Sequence, residues 1–186
     1  MSVFPSGAAG GPFGRRQRTP RGARVSVILV TGFLGAGKTT LIREFLGTEE
    51  GRDTAVVVNE FGEIGLDGAL LAPAVQKAGA GKVALLGNGC LCCAIRSDLD
   101  TTFRALFTDR ARGAVPPFRR VVLETSGADD PAPLLQTFLS ERALGGTFHL
   151  QAIIAVVDAA TGLANLETAP EARRQVALAD RILISK

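Results

Sequence analysis

The chain has 186 residues, 46% of them hydrophobic and 21% charged. That is enough for one domain with a hydrophobic core, and it is unlike a disordered polypeptide. No apolar run reaches the roughly 18 residues needed to cross a bilayer, so no membrane partner is expected. The formal net charge of +3 is a tail effect: residues 1–24 carry Arg15, Arg16, Arg18, Arg21 and Arg24 and no acid, leaving 16 basic and 18 acidic side chains in the rest. A nucleic-acid-binding face is therefore not expected either.

The first 24 residues are rich in Gly, Pro, Ser and Arg and read as a disordered basic tail, because they cannot bury enough apolar surface to offset chain entropy. Arg15–Arg16 would suit an export signal, but no signal-type apolar segment follows. The acid-free composition is faintly like an organelle transit peptide, without the helical apolar stripe of one. Short apolar runs then predict strands at 25–30, 54–58, 82–86, 119–123, 150–157 and 181–184. Amphipathic stretches between them predict helices near 37–46, 67–78, 97–110, 131–142 and 170–179. Ser97 followed by Asp100 resembles a helix start, and Pro131 suits a first helical position. Continuously apolar strands alternating with helices imply an α/β domain over 25–186, with a mostly parallel sheet covered on both faces. Such a sheet binds ligands beyond the carboxyl ends of its strands. The sequence stops directly after the strand Ile182–Ile184, as if the domain were cut short at its carboxyl end.

Gly32-Phe33-Leu34-Gly35-Ala36-Gly37-Lys38-Thr39 fits G-x-x-x-x-G-K-[ST], the phosphate-binding loop of P-loop NTPases, and lies between a predicted strand and a predicted helix. The glycines let backbone N–H groups approach phosphates closely, so Gly32, Gly35, Ala36, Gly37, Lys38, Thr39 and Thr40 are candidate nucleotide-binding residues. Lys38 would reach the β- and γ-phosphates, and the Thr39 hydroxyl would bind Mg²⁺. The alternative is a Gly-rich turn with a solvated lysine. Arg119–Leu123 leads into Glu124, the Walker B arrangement. Glu124 would hold Mg²⁺ through water or orient an attacking water; otherwise it is a surface acid in a turn. Gly127 could present its N–H to the γ-phosphate.

Gly87-Asn88-Gly89-Cys90-Leu91-Cys92-Cys93 gathers all three cysteines of the chain within four positions. Such thiols can converge on a borderline cation such as Zn²⁺. Buried structural cysteine and a redox-sensing thiol are the other readings. An odd, clustered set without a signal peptide points to the cytoplasm and to thiolate chemistry, not to a disulfide framework. The single histidine, His149, stands before a strand and reads as structural.

The chain resembles the CobW-like GTPases, a family of metallochaperones and metalloenzyme activators. The resemblance is carried by TGFLGAGKTT at 31–40, NEFGEIGLD at 59–67, NGCLCC at 88–93, ETSGADDP at 124–131, VVDA at 156–159 and ADRILISK at 179–186. It implies a GTPase that uses GTP and Mg²⁺, binds Zn²⁺ or Co²⁺ at Cys90, Cys92 and Cys93, and delivers it to a client metalloprotein. A homodimer is a further expectation. Residues 59–67 correspond to the first switch, where Glu60, Glu63 and Asp67 could touch Mg²⁺, water or the transferred metal; Glu63 is a candidate both for catalysis and for metal ligation. Residues 124–127 form the second switch. Some relatives place an acid before Asn59, where this chain has Val58. The base-reading motif is represented by Ser185-Lys186, with Lys186 a candidate nucleotide contact. The family's His-rich tract and second domain are not in this sequence. A P-loop kinase, and a nucleotide-binding metal or redox sensor without turnover, are the rival functions.

Overall fold

The computed structural model describes residues 24–59, 83–85, 94–140 and 142–186. The expected tail up to residue 23, the expected helix at 67–78, Glu60, Glu63, Asp67, Cys90, Cys92 and Cys93 lie outside the described residues. Arg24, assigned above to the tail, donates from Nη1 to the Gly145 carbonyl at 2.8 Å.

Twelve described elements alternate along the chain: β1 (Val25–Thr31), α1 (Lys38–Leu46), β2 (Thr54–Asn59), β3 (Val83–Leu85), α2 (Ala94–Ala111), β4 (Arg120–Thr125), α3 (Ala132–Ser140), α4 (Arg142–Thr147), β5 (Phe148–Asp158), α5 (Gly162–Thr168), α6 (Pro170–Ala177) and β6 (Arg181–Ser185). The strands form one sheet in the order β3-β2-β4-β1-β5-β6, and each pairing is parallel. This is the α/β architecture that the apolar runs imply.

Alternation along the strands divides the core in two. Val25, Val27, Leu29, Ala55, Val57, Val121 and Leu123 face one side, where Leu99, Phe103 and Leu106 of α2 and Leu134, Leu135 and Phe138 of α3 cover them. The Phe103 ring stands edge-on to Phe138 and Phe148, with centroids 5.3 and 4.9 Å apart, the geometry that aromatic quadrupoles favour. Val30, Val56, Val58, Val122 and Val156 face the other side, covered by Ile42 and Leu46 of α1. Residues 54–58 of β2 are buried on both faces, while β6 is an edge strand with Ile182 and Ile184 exposed.

The strand order positions the site. From β1 the chain passes over β4 to β2; from β4 it passes over β1 to β5. The connections therefore leave in opposite directions between β1 and β4, the switch point where such sheets bind ligands. Val30 pairs with Glu124 in that ladder, so the loop after β1 and the acid ending β4 emerge side by side.

Helices depart from the expectation in two places, besides α2, which begins at Ala94 and so carries Ser97 inside it and not at its start. The predicted 131–142 helix is replaced by α3 and α4, and α4 carries Gly145 and Gly146, residues of poor helix propensity overridden by packing of Leu144 into the core. The second, α5, was not expected: its seven residues begin at Gly162, and Thr161 before it makes no side-chain cap.

Candidate functional site

The loop after β1 turns on glycines. Gly32, Gly35 and Gly37 have φ of 141°, 73° and 93°, a region closed to most side chains. Gly37 is the N-cap of α1 and offers no side chain to its first turn. The orphan N–H groups of that turn, with the positive end of the helix dipole, thus face the sheet's carboxyl edge. The Ala36 N–H donates within the loop to Phe33 O at 3.1 Å, and its side chain is packed into the core. Ala36 is therefore a packing residue as well as a candidate phosphate contact.

Lys38 is buried, at 8% exposure. A buried ammonium needs acceptors, and Nζ donates to Gly32 O at 2.8 Å and Phe33 O at 3.4 Å. The charge thus lies folded along its own loop, at the mouth where an anion would sit. Beside it the Thr39 hydroxyl donates to Oε1 of Glu124 at 2.8 Å. Glu124 is buried near the end of β4, between its ladder partners Val30 of β1 and Val58 of β2, and this contact ties it to α1. The hydroxyl and carboxylate are hard oxygen donors converging on one point, a set that fits Mg²⁺.

A cleft of about 430 Å³ collects Gly35, Gly37, Lys38, Thr39, Thr40, Glu124, Gly127 and Lys186. Gly32 and Ala36 line the adjoining crevice toward β5 and α6. The structure thus brings together every described site candidate. Val58, where relatives can carry an acid, is buried and lines the same cleft. His149 pairs with Ser26 at the amino ends of β5 and β1, the opposite end of the strands from this cleft. Among the described residues, no group of three or more His, Cys, Asp or Glu side chains gathers to hold a metal ion, and no helix is long and apolar enough to cross a membrane.

Two further groups of residues shape the cleft. On one side, Asn59 at the end of β2 donates from Nδ2 to Oδ2 of Asp129 at 2.9 Å. Burial pushes the Asp129 carboxyl up from its ordinary 3.8, against a backbone hydrogen bond from Ser126 and the charge of Lys38. On the other side, Ser185 donates from Oγ to Ala36 O at 2.6 Å. Lys186 donates from Nζ to Gly35 O and to Oδ2 of Asp158, both at 2.8 Å. The Lys186 hydrogen bond and a second from the Ala160 N–H hold the Asp158 carboxyl below its ordinary 3.8. Ser185 at the end of β6 and Lys186, itself held by Asp158 of β5, therefore brace the phosphate loop through its carbonyls.

Sequence reasoning passed over Asp129 and Asp158, took Ser185 only as part of the base-reading motif, and passed over Gln175. The first three stand inside the quoted runs ETSGADDP, VVDA and ADRILISK, which was their available signal. Gln175 had none, lying on a helix 48 and 46 residues beyond its partners Gly127 and Asp129.

Residues 26–186 match the family described as CobW/HypB/UreG, nucleotide-binding domain. The chain is 39% identical over 162 residues to the zinc chaperone YjiA of Escherichia coli, covering 87% of this chain and 49% of that protein. It is 40% identical over 162 residues to the zinc chaperone CobW of Pseudomonas aeruginosa, covering 82% and 42%. The crystal structure of Zn(II)-bound YjiA GTPase from E. coli superposes with a TM-score of 0.65 at 31% identity, covering 88% of this chain and 49% of that one. The chain spans about half the length of these relatives. It belongs to the CobW/HypB/UreG nucleotide-binding domain family.

Proposed function

We propose that this member of the CobW/HypB/UreG family binds and hydrolyses GTP, and that nucleotide state governs how it holds a zinc-like ion for delivery to a client metalloprotein. The observation that carries the GTPase half is the Thr39–Glu124 contact of 2.8 Å beside the buried Lys38. Phosphoryl transfer needs positioned charge and a positioned water, and no covalent step on the protein. Lys38 would neutralise phosphate charge; Thr39 and Glu124 would hold Mg²⁺, which when bound screens the β- and γ-phosphate charge. Glu124, or Glu63 from the first switch, would orient the water. The backbone of Gly35 to Thr40 would cradle the phosphates, and the Gly127 N–H would meet the γ-phosphate. Lys186 would lie against the base side.

The metal half is supported by the three thiols of Cys90, Cys92 and Cys93, a donor set suited to Zn²⁺ or Co²⁺, and by relatives named zinc chaperones. Here the ion is cargo, with Glu63 an added oxygen ligand. The reading extends to a cytoplasmic setting and to a second copy of the chain as partner.

The test is phosphate release with GTP and with ATP under Mg²⁺, for the wild-type chain and Glu124→Gln. Turnover of GTP that Glu124→Gln abolishes is the expected result. Equal turnover of ATP would favour a kinase-type enzyme, and binding without turnover would favour a sensor.

A further inference from the structure

Gln175 on α6 is fully buried, at 0% exposure. Burying an amide is costly unless it finds partners. Its Nε2 donates to Gly127 O at 3.1 Å and to Asp129 O at 2.9 Å. Two carbonyls can only accept, so the amide orientation is fixed by its partners. One side chain thus holds two of the three carbonyls in the loop 127–129.

That loop is held from two more directions. Gly127 lies directly on the phosphate loop: a Cβ there would stand 2.5 Å from Leu34 N and 2.7 Å from Leu34 Cα. Asn59 holds the Asp129 carboxylate from the end of β2. Arg174, next to Gln175, pairs with Asp130 at 3.0 Å, but its side chain is 61% exposed, where an ion pair contributes little. Gln175 is therefore the principal grip of α6 on this loop.

We propose that Gln175 is a positioning residue for γ-phosphate recognition: by holding Gly127 and Asp129 through their carbonyls, it keeps the second switch pressed against the phosphate loop. It touches neither nucleotide nor water itself. The proposal rests on the GTPase reading above, in which the Gly127 N–H meets the γ-phosphate. The phosphate loop keeps its other supports when Gln175 is changed, because Lys38, Ser185 and Lys186 hold its carbonyls independently. A diphosphate, which has no γ-phosphate to meet Gly127, should be indifferent to the substitution.

The experiment compares the wild-type chain with Gln175→Met, which removes both donors and keeps the side chain's length. Affinities for GDP and for a non-hydrolysable GTP analogue are measured by calorimetry, and kcat and KM by phosphate release. Loss of two buried hydrogen bonds should weaken the analogue about 10-fold and lower kcat at least about 10-fold, with GDP affinity within about twofold of wild type. Equal loss for both nucleotides, or no loss for either, overturns the proposal. A wild-type chain that neither binds nor hydrolyses GTP would instead remove the reading beneath it, which the wild-type arm detects by itself. If Gln175→Met does not fold, the Gln175 side-chain NH₂ resonances of ¹⁵N-labelled wild type decide. They should shift between the GDP and analogue states, and identical positions in both overturn the proposal.

Discussion

Replacing Lys38 by Met removes a buried ammonium while keeping most of the side chain's bulk. Nζ donates to Gly32 O at 2.8 Å and Phe33 O at 3.4 Å, so a phosphate contact would be made at the expense of these carbonyl partners. A unit charge pair at about 4 Å is worth roughly 4 kcal/mol at an effective dielectric of 20. The hydrogen bonds given up are worth about 1–1.5 kcal/mol net. The difference, about 3 kcal/mol, is roughly 10²-fold in affinity. The two carbonyls left without Nζ should lower stability by about 1–3 kcal/mol, so melting must be followed beside binding. Calorimetric titration with GDP and with a GTP analogue, on a variant shown to be folded, gives the answer. Affinities within about threefold of wild type would refute the assignment of Lys38 to the phosphates.

Phe103→Ala removes the ring at the centre of the α2–α3–β5 contact. It should cost about 3–5 kcal/mol, lowering Tm by about 10 °C in a domain of this size. Nucleotide affinity at low temperature should be unchanged, because the ring lies on the sheet face away from α1. Asp158→Asn tests the brace on the phosphate loop through pH. The folded-state pKa of Asp158 is depressed, so the carboxylate's contribution is present above 3.8 and is lost as pH falls through the folded-state value. The Tm gap between wild type and Asp158→Asn should be full at neutral pH and close in acid; a gap that persists below that range contradicts the ion-pair account.

The sheet and its motif end were legible because three signals coincided. Val27–Val30 is continuously apolar, the glycine loop follows it, and Glu124 ends a second apolar run. Strands were read short at their carboxyl ends, since Thr31, Asn59, Thr125 and Ser185 stay in the ladder without an apolar signature. Of these, Asn59 and Thr125 line the cleft; Thr125 donates to Thr31 across the ladder at 3.0 Å, Asn59 reaches Asp129 and Ser185 reaches the phosphate loop. Helix α5 was missed because it is only seven residues long, opens on glycine and buries only Gly162, so it shows no apolar stripe. The roles of Gln175 and Asp129 were invisible for another reason. Their partners are 46 and 70 residues away, a relation that strand order creates and periodicity does not report. The reading of Cys90, Cys92 and Cys93 as metal ligands rests on their spacing and on the family resemblance, and they lie outside the described residues.

The most direct test of the proposed function couples the two halves. Zn²⁺ is titrated into the wild-type chain against a competing chelator, once with GDP and once with a non-hydrolysable GTP analogue. If the γ-phosphate orders the first switch and moves Glu63, metal affinity depends on nucleotide state, and metal must shift GTP affinity by the same factor. A coupling of about 1–3 kcal/mol appears as a difference of about 5- to 150-fold, with one ion per chain that Cys92→Ser removes. Identical Zn²⁺ affinity with both nucleotides would contradict nucleotide-governed metal carriage and leave Cys90, Cys92 and Cys93 at most a static site.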